Sequence, residues 1–458
     1  MGGLTAALRL RRHSFPVRVL EARATAGGLA GSDGHDGFVF DAGPYLLLDR
    51  PGLEWAFAEL GLNLADLVPL RRVNEVYEVG GADGAVVRIS AGLEETAARL
   101  DGAWPGAGRH YRRLVAALSR RYQRLGPLQR RSPPGVLDLL RTGAWREIPF
   151  LLRSLGTVLA GARLPRPVVD ALAIWTHVAG QQPEEAPSPL AFVAALIHTH
   201  GAYYPAGGIG SIPRVLAQAA AAAGVEFRHG TRVKAIRCTA GQVQGVETDA
   251  GEFLAADAVV ANAAGLATYL HLLDATPPPV RERLQRLLLQ SPGVCAYLAV
   301  RGPLRPPYLH FHLPGGDELC RLLVLPGVVV PELERDGWWP ARLIAPLRHR
   351  WAERVGPAGQ RAFLERLLAE SWWRSHVGEV RVLATRIPAE WGVEYHLYGN
   401  SMNPVMTARL MRAGRLAHRS PYVRGLYLAG SATHPGQWVS FCAISGILAA
   451  DCLREDFA

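Results

Sequence analysis

The stretch Glu21–Pro44, EARATAGGLAGSDGHDGFVFDAGP, contains the signals that decide the fold. It begins with an acid, passes through the doublet Gly27–Gly28, and continues into an apolar run that ends in Asp41-x-Gly43. The apolar run has the length and composition of a short strand, and the glycines on either side are typical of turns. This stretch therefore predicts a strand that enters a tight, glycine-containing turn.

The residues before Glu21 extend the pattern. Leu4–Leu10 has the spacing of a helix, Phe15–Leu20 alternates as a strand does, and Glu21 lies 18 residues after Gly3. A glycine turn, a helix, a strand and an acid form the second half of a dinucleotide-binding βαβ unit. There the helix N-terminus binds a pyrophosphate and the acid binds a ribose hydroxyl. On these residues alone, an ordinary helix–strand connection with a surface glutamate is an equal alternative.

The whole segment resembles the corresponding part of glutathione-reductase-like flavoproteins, particularly the phytoene desaturase and carotenoid isomerase-like family of the amine oxidase superfamily. The resemblance implies that FAD is the cofactor. It assigns cofactor binding to Gly2, Gly3, Glu21, Ala22, Arg23, Gly27, Gly28, Leu29, Gly43, Pro44 and Tyr45. Many members carry arginine where Leu29 stands, so one diphosphate contact of the family is missing at that position. The resemblance also implies a strand and the first glycines of the motif upstream of Met1.

A second segment with the same resemblance lies between residues 201 and 265. It contains Tyr204–Pro205, the doublet Gly207–Gly208, an alanine-rich helix, short strands and a hairpin. In the family, the strand at Val233 contacts the adenine through backbone groups. Asn262, after the run DAVVA, is assigned to the cofactor in the same way. A buried valine in a sheet is the ordinary interpretation of Val233, and both interpretations hold together.

The third segment is residues 425–453, GLYLAGSATHPGQWVSFCAISGILAADCL. It predicts a buried strand at Leu426–Ala429, a turn at Gly430–Ser431, and a helix rich in small residues at Ala443–Ala450. The resemblance places the turn at the ribityl phosphate and Gln437, Trp438 and Val439 beside the isoalloxazine ring. Packing in the core is the alternative for Trp438.

These segments predict an α/β fold with a discontinuous, Rossmann-like FAD-binding domain of glutathione-reductase type, formed by residues 1–95, 200–270 and 415–458. Residues 96–199 and 271–414 would form an inserted α+β substrate domain that faces a membrane. The first insert is helical and basic, and Leu151–Leu164 predicts an interfacial helix with Arg153 and Arg163 at headgroup depth. A solvated helical cap is the alternative.

Aromatic residues are frequent in the second insert, where they suit the walls of a polyene tunnel or any large core: Trp338, Trp339, Trp372, Trp373, Trp391, Tyr395 and Tyr398.

Composition narrows the classes of partner. The 458 residues carry 50 Lys+Arg against 40 Asp+Glu, a net charge of +10, and Lys234 is the only lysine. A basic chain suits an anionic membrane surface or cofactor, and no nucleic-acid-binding motif is present. The five cysteines contain no CxxC, which fits a reducing compartment and argues against a structural zinc site or a disulfide framework. We therefore expect no metal. No signal peptide or spanning stretch is visible, so we expect a cytoplasmic protein at the inner face of the membrane.

The resemblance implies that the chain desaturates a carotenoid or similar isoprenoid polyene by hydride transfer to flavin N5. A carotene cis–trans isomerase or saturase on the same fold remains an alternative, as does a non-catalytic polyene- or lipid-binding protein. Amine oxidases of this superfamily typically use a lysine close to flavin N5. The only lysine here, Lys234, is assigned by the resemblance to the region of the adenine-binding strand, far from N5, which counts against an amine oxidase. The pattern does not choose a catalytic residue among six candidate proton acceptors: His198, His200, His310, His312, His434 and Glu394.

Overall fold

The computed structural model describes residues 1–263 and 266–457. The α-helices are α1 (Gly2–Arg12), α2 (Arg50–Glu59), α3 (Leu64–Leu67), α4 (Leu93–Ala103), α5 (Ala107–Leu125), α6 (Val136–Thr142), α7 (Ile148–Leu151), α8 (Leu155–Ala160), α9 (Arg166–Ala179), α10 (Phe192–Thr199), α11 (Ser211–Ala222), α12 (Pro278–Gln285), α13 (His349–Ala369), α14 (Pro388–Glu394), α15 (Ala408–Ala413) and α16 (Val439–Phe457). The strands are β1 (Arg18–Leu20), β2 (Ser32–His35), β3 (Phe38–Asp41), β4 (Leu70–Arg72), β5 (Glu75–Gly80), β6 (Val86–Ser90), β7 (Tyr203–Pro205), β8 (Glu226–Arg228), β9 (Val233–Thr239), β10 (Gln242–Thr248), β11 (Phe253–Ala255), β12 (Val259–Ala261), β13 (Gly293–Arg301), β14 (Leu309–His312), β15 (Arg321–Val324), β16 (Trp339–Pro346), β17 (Glu379–Arg386) and β18 (Leu426–Leu428).

Short helical turns connect these elements. The 3₁₀ turns are Gly28–Ala30, Gly126–Arg130, Ala144–Glu147, Ser188–Ala191, Pro326–Val328, Pro331–Leu333, Trp372–His376 and Tyr398–Asn400, and a π turn spans Thr268–Leu272. The helices predicted around Leu4–Leu10 and Ala443–Ala450 are confirmed as α1 and α16, and the strand before Asp41 is confirmed as β3.

The half of the fold that is predicted to bind the nucleotide contains small parallel and antiparallel sheets. β1 pairs with β8, and β12 pairs with β18, both in parallel, while β9, β10 and β11 form an antiparallel meander. In the described part of the chain, no strand joins β1 to β12 in one ladder. The strand expected upstream of Met1 therefore stays a prediction.

A seven-stranded sheet of order β17-β13-β16-β15-β14-β5-β6 forms the second half. Only the β14–β5 pair is parallel; the other neighbours are antiparallel. Strands β5 and β6 belong to the first predicted segment, 1–95, but share this sheet with strands from 271–414. The pairing favours a domain boundary before residue 75, and the rest of the predicted division stays a prediction.

The helices of residues 93–199 cover the sheet as an amphipathic layer. In α5, Tyr111, Val115, Leu118 and Tyr122 are buried and recur at helical spacing, whereas most of the arginines occupy the other faces. The predicted helical character of this insert is therefore confirmed. These buried side chains join one continuous core with α1 and α16.

The predicted single helix over residues 151–164 is wrong. α7 ends at Leu151, and α8 begins after Ser154, whose side chain accepts a hydrogen bond from the Thr157 amide at 3.2 Å. Such an N-cap starts a new helix because it satisfies an amide that would otherwise lack a partner. Leu155 and Leu159 are buried, so this segment belongs to the core.

The N-terminal turn of α1 lies against α16 without space for side chains. Thr5 Oγ1 donates to the Ala443 carbonyl at 2.8 Å, and a Cβ at Gly446 would lie 2.0 Å from the Gly2 carbonyl oxygen. A Cβ at Gly2 would meet the Gly430 amide nitrogen at 2.9 Å. Glycine is therefore required at these helix contacts. Within the described ranges, no helix is both long and apolar enough to cross a bilayer.

We expect Gly446→Ala to lower the stability of the fold by about 1–3 kcal/mol, because the new methyl group overpacks the contact with Gly2. Thermal unfolding of the FAD-loaded protein measures the change. Gly102→Ala in α4 is the matched control, since nothing lies within 4 Å of its Cβ position. Alanine there should leave the midpoint unchanged or raise it, and equal midpoints for the two variants would contradict the close contact.

Candidate functional site

One cavity of about 2300 Å³ runs between the nucleotide-binding half and the helical layer. This volume exceeds the roughly 300–1,000 Å³ of ordinary ligand pockets. All residues assigned to the cofactor by sequence line it: Gly2, Gly3, Glu21, Ala22, Arg23, Gly27, Gly28, Leu29, Gly43, Pro44, Tyr45, Val233, Asn262, Gly430, Ser431, Gln437, Trp438 and Val439. The structure thus brings the three segments to one site, and the role of each residue stays a prediction.

The side-chain amide of Asn262 joins the three segments. Its Oδ1 accepts from the Gly3 amide at 2.7 Å, and its Nδ2 donates to the Ala429 carbonyl at 3.0 Å. A Cβ at Gly430 would lie 2.2 Å from Nδ2, and Gly430 has a φ of +98°. Both conditions require glycine there. Asn262 therefore sets the distance between the α1 N-terminus and the turn after β18.

Buried Asp41 connects the first segment to the second. Its carboxylate accepts from the Tyr204 hydroxyl at 2.8 Å and the Ile209 amide at 2.7 Å. Arg342 donates to the carbonyls of Asp41 at 2.6 Å and Gly43 at 3.2 Å. Burial raises the pKa of Asp41, and the nearby Arg342 charge opposes that rise. Sequence reasoning missed Arg342 because it lies on β16, about 300 residues from the turn that it supports.

Glu21 lies where β1 ends, as predicted. Its amide donates to the Arg228 carbonyl at 3.0 Å, which continues the pairing of β1 with β8. Its Oε1 accepts from the Arg23 amide at 2.9 Å, and among the described residues no ion pair engages the carboxylate. This arrangement leaves Oε2 available to a hydroxyl in the cavity.

Arg23 has its charge balanced by the protein. Its guanidinium pairs with Asp33 Oδ1 at 3.1 Å and Glu394 Oε1 at 3.0 Å, and lies 4.2 Å from the Tyr395 ring centroid. Arg386 pairs with the same two carboxylates. Burial would raise the pKa of Asp33, but Arg386 and Arg23 outweigh burial and lower it. The two arginines and the two carboxylates therefore neutralise one another at one wall of the cavity.

Arg415 also lines the cavity, and sequence reasoning missed it. Its polar contact is a hydrogen bond of 3.4 Å to the Ser431 carbonyl, and no carboxylate in the described residues lies within 4 Å. Burial lowers the pKa of Arg415 to about 10, and the Cys442 thiol partly opposes this. Arg415 is partly exposed and has no carboxylate partner among the described residues, so a bound anion would compensate its charge. Arginine binds phosphate oxygens in a fork of two hydrogen bonds.

The segment assigned to the flavin ring presents a flat aromatic surface. The rings of Trp438 and Phe441 stack at 4.8 Å with an interplanar angle of 13°, and both line the cavity. Gln437 Oε1 accepts from Gln290 Nε2 at 2.9 Å and from Asn403 Nδ2 at 3.3 Å. These bonds fix the Gln437 side chain through two residues of the second insert.

The cavity continues into an apolar region formed by the helical layer, where Leu128, Leu151, Trp175 and Phe192 line it. Of the aromatic residues expected as tunnel walls, Trp391 and Tyr395 do line the cavity, whereas Trp338 and Trp373 are buried in separate cores. Four buried polar atoms at the cavity lack a partner among the described residues: Trp175 Nε1, Gln181 Oε1, Arg386 Nη1 and Trp391 Nε1. Buried polar groups are normally hydrogen-bonded, so these four favour a bound ligand.

Two of the six candidate proton acceptors, His434 and Glu394, line the cavity. His434 Nε2 donates to the Leu128 carbonyl at 2.9 Å, which leaves Nδ1 as the lone-pair atom of a neutral ring. Burial lowers the pKa of His434 and favours this neutral form. Glu394 is engaged by Arg23 and Arg386.

Asp49 is a further cavity acid that sequence reasoning missed. It accepts from Ser440 Oγ at 2.9 Å and from the Tyr122 hydroxyl at 3.3 Å. In the sequence, Asp49 has only the pattern of an N-cap residue at the start of α2, and nothing there indicates that it lies at the cavity.

The site therefore fits a dinucleotide that carries a diphosphate and a flat ring. Arg415 and the α1 N-terminus supply positive potential, Glu21 offers an acceptor, and Trp438 offers a planar surface. The sole lysine, Lys234, lies on β9 and pairs with Glu247 at 3.7 Å.

Comparisons with known proteins agree with this geometry. Residues 1–326 match the family described as flavin containing amine oxidoreductase. The chain is 30% identical to the phytoene dehydrogenase of Streptomyces griseus over 98% of this chain and 93% of that protein. It is 26% identical to the zeta-carotene-forming phytoene desaturase of Myxococcus xanthus over 99% and 92%.

The fold is also found in a solved oxidoreductase from Methanosarcina mazei, with a TM-score of 0.66, 17% identity and coverage of 98% of both chains. The match over residues 1–326, together with the relatives that span nearly the whole chain, shows that the protein belongs to the family of flavin-containing amine oxidoreductases and is an FAD-dependent enzyme.

Proposed function

We propose that this enzyme desaturates a carotenoid or a related long isoprenoid polyene. The observation that carries the proposal is the continuity of one cavity, from the cofactor segments through Trp438 into the apolar region at Trp175 and Phe192. An extended apolar chain suits that region, because its walls are aliphatic and aromatic side chains. The names of the two sequence relatives support the same substrate class.

When bound, FAD supplies the electron acceptor for a hydride from an allylic carbon of the substrate. The residues of the chain then have two tasks. The apolar wall orients the polyene and excludes water, and a group at the wall takes the proton from the neighbouring carbon. His434 is suited to that task because the hydrogen bond from Nε2 to the Leu128 carbonyl leaves the lone pair of the neutral ring on Nδ1, whereas Glu394 is held in ion pairs.

The product mass tests the reaction. We expect the FAD-loaded protein, mixed with phytoene in liposomes and an electron acceptor, to form products that have lost hydrogen in pairs, as measured by mass spectrometry with the visible spectrum. Products of unchanged mass but altered retention would indicate an isomerase and contradict desaturation. Added hydrogen would indicate a saturase, and binding without any product would indicate a polyene-binding protein.

We further propose that Arg415 binds the FAD diphosphate and compensates for the arginine absent at Leu29. The support is electrostatic: Arg23 already has two carboxylate partners, while Arg415 has none within 4 Å in the described part of the chain. Its contact with the Ser431 carbonyl places it beside the turn assigned to the ribityl phosphate.

We expect Arg415→Gln to weaken FAD binding by about 10- to 100-fold, since a hydrogen bond to a charged group contributes about 1.5–3 kcal/mol. Quenching of flavin fluorescence on titration into the apoprotein gives the dissociation constant. Arg409→Gln is the matched control, because Arg409 is exposed on α15 and does not line the cavity. Wild-type affinity in Arg415→Gln would refute the assignment, and Arg415→Lys should restore part of the binding.

We also propose that the enzyme takes its substrate from an anionic membrane surface. The support is a cluster of exposed apolar side chains on residues 136–152: Val136, Leu137, Leu140, Trp145, Ile148 and Leu152. Val136 alone is 73% exposed. Ser132–Pro134, just before the cluster, and Leu151, within its range, line the cavity, so a polyene would leave the bilayer next to its binding region.

The charges around this cluster suit an anionic surface. Arg141, Arg146 and Arg153 are exposed there. The acids of the same stretch are neutralised, because Asp138 pairs with Arg131 at 3.8 Å and buried Glu147 pairs with Arg121 and Arg124. This cluster replaces the predicted interfacial helix at 151–164 as the docking element.

We expect the triple variant Val136→Ser, Leu137→Ser, Leu140→Ser to bind anionic liposomes at least about tenfold more weakly, because each large apolar side chain contributes about 1.5–3 kcal/mol when fully withdrawn from water. Co-sedimentation at rising salt measures the binding, and salt should weaken it. The control Phe253→Ser, Val86→Ser removes exposed apolar groups elsewhere. Equal losses in both variants would contradict this docking face.

A further inference from the structure

A cluster of one acid and two histidines lies on the face of the seven-stranded sheet opposite the cavity. Side chains alternate between the two faces of a strand. Phe311 on β14 lines the cavity, so its neighbour His310 points to the other side. His310 is the direct partner of Glu78 in the parallel β14–β5 ladder. His376, at the end of the turn Trp372–His376, completes the cluster from outside the sheet.

The hydrogen bonds of His310 leave one of its contacts unexplained. Its Nε2 lies 3.1 Å from the Arg305 carbonyl, which can only accept, so Nε2 carries hydrogen. Nδ1 is then the lone-pair atom of a neutral ring, yet it lies 2.7 Å from Glu78 Oε1, another acceptor. Two acceptors at that distance need a cation between them, which is a proton or a metal ion.

His376 distinguishes the two cases. Its Nδ1 lies 3.8 Å from the same Glu78 oxygen, and the two imidazole rings approach to 3.9 Å between centroids. A proton shared by His310 and Glu78 needs no third ligand. A tetrahedral ion with bonds of about 2.1 Å separates its ligand atoms by about 3.4 Å, so binding would widen the 2.7 Å contact by about 0.7 Å and narrow the 3.8 Å contact by about 0.4 Å.

We propose that Glu78, His310 and His376 bind a Zn²⁺ ion, with a fourth position open to water. Two imidazoles and one carboxylate are ligands that zinc accepts. The outer contacts are in place: the Arg305 carbonyl fixes His310, and Arg88 Nε binds the other oxygen of Glu78 at 2.6 Å, which leaves Oε1 for the ion. The partly exposed His376 gives the ion a path from solvent.

The ion would tie the turn Trp372–His376 to strands β5 and β14. This role is structural and separate from the flavin chemistry. The absence of CxxC in the sequence does not bear on it, because the cluster contains no cysteine. Local spacing could not reveal it either, since the three ligands are 66 and 232 residues apart.

The test uses the untagged, FAD-loaded full chain after treatment with a chelator. Co²⁺ is titrated first, since its visible d–d bands report ligand geometry, and Zn²⁺ then displaces it. We expect one ion per chain, tetrahedral bands, and a higher thermal midpoint with Zn²⁺, because an ion that binds only the folded state stabilises it. Absence of stoichiometric binding by the wild type would overturn the proposal and leave a proton-bridged pair.

His376→Asn removes the partly exposed ligand, and we expect it to lower the affinity for Co²⁺ and Zn²⁺ at least 10- to 100-fold, the usual loss even for outer-shell changes. His312→Asn is the matched control: His312 lies on the same strand face but stacks on Trp372, outside the cluster. Its affinity should equal that of the wild type. Equal weakening in both variants, or none in His376→Asn, would refute the site, and unchanged flavin spectra confirm that both variants fold.

Discussion

The hydrogen bonds of the Asn262 amide set the geometry on which the rest of the site depends. One side chain accepts from Gly3 and donates to Ala429, so it spans the first, second and third segments of the cofactor region. These bonds can form because a neighbouring position, Gly430, is a glycine, and a Cβ atom there would clash with the Asn262 amide. The same lack of side chains lets α1 and α16 touch at Gly2 and Gly446. The α1 N-terminus and the turn after β18 therefore face one cavity from fixed positions.

Electrostatics divides that cavity into parts with different functions. At the wall formed by Arg23, Asp33, Arg386 and Glu394, cations and anions are matched and hold the second insert against the first segment. At Arg415 no acid among the described residues matches the cation, which is the basis of the diphosphate contact proposed above. Further along, the walls become apolar and offer little to a polar substrate. The cofactor segments and the apolar region therefore line different parts of one continuous cavity.

The helical layer relates the cavity to the protein surface. Its inner face packs into the main core, whereas the short helices α6 and α7 expose leucine, isoleucine and valine beside arginine. Ordinary soluble surfaces carry single exposed apolar residues, and the grouping of six such residues within 136–152 is the basis of the docking face proposed above. The interfacial helix predicted over residues 151–164 was wrong because alternation of apolar and basic residues does not say which face is buried. Ser154 divides that stretch, and the following residues enter the core.

The sequence by itself determined the family resemblance, the cofactor and the residues that meet at the cavity. Glycine turns, short strands and the acid after β1 depend on local backbone conformation, and local patterns record such requirements directly. The tertiary structure alone decided which charges are balanced. Arg23 and Arg415 look equivalent in the sequence, but the partners of Arg23 come from positions 33 and 394, and Arg415 receives no such partner among the described residues. Coulomb attraction and burial depend on distance in space, and spacing along the chain does not encode that distance.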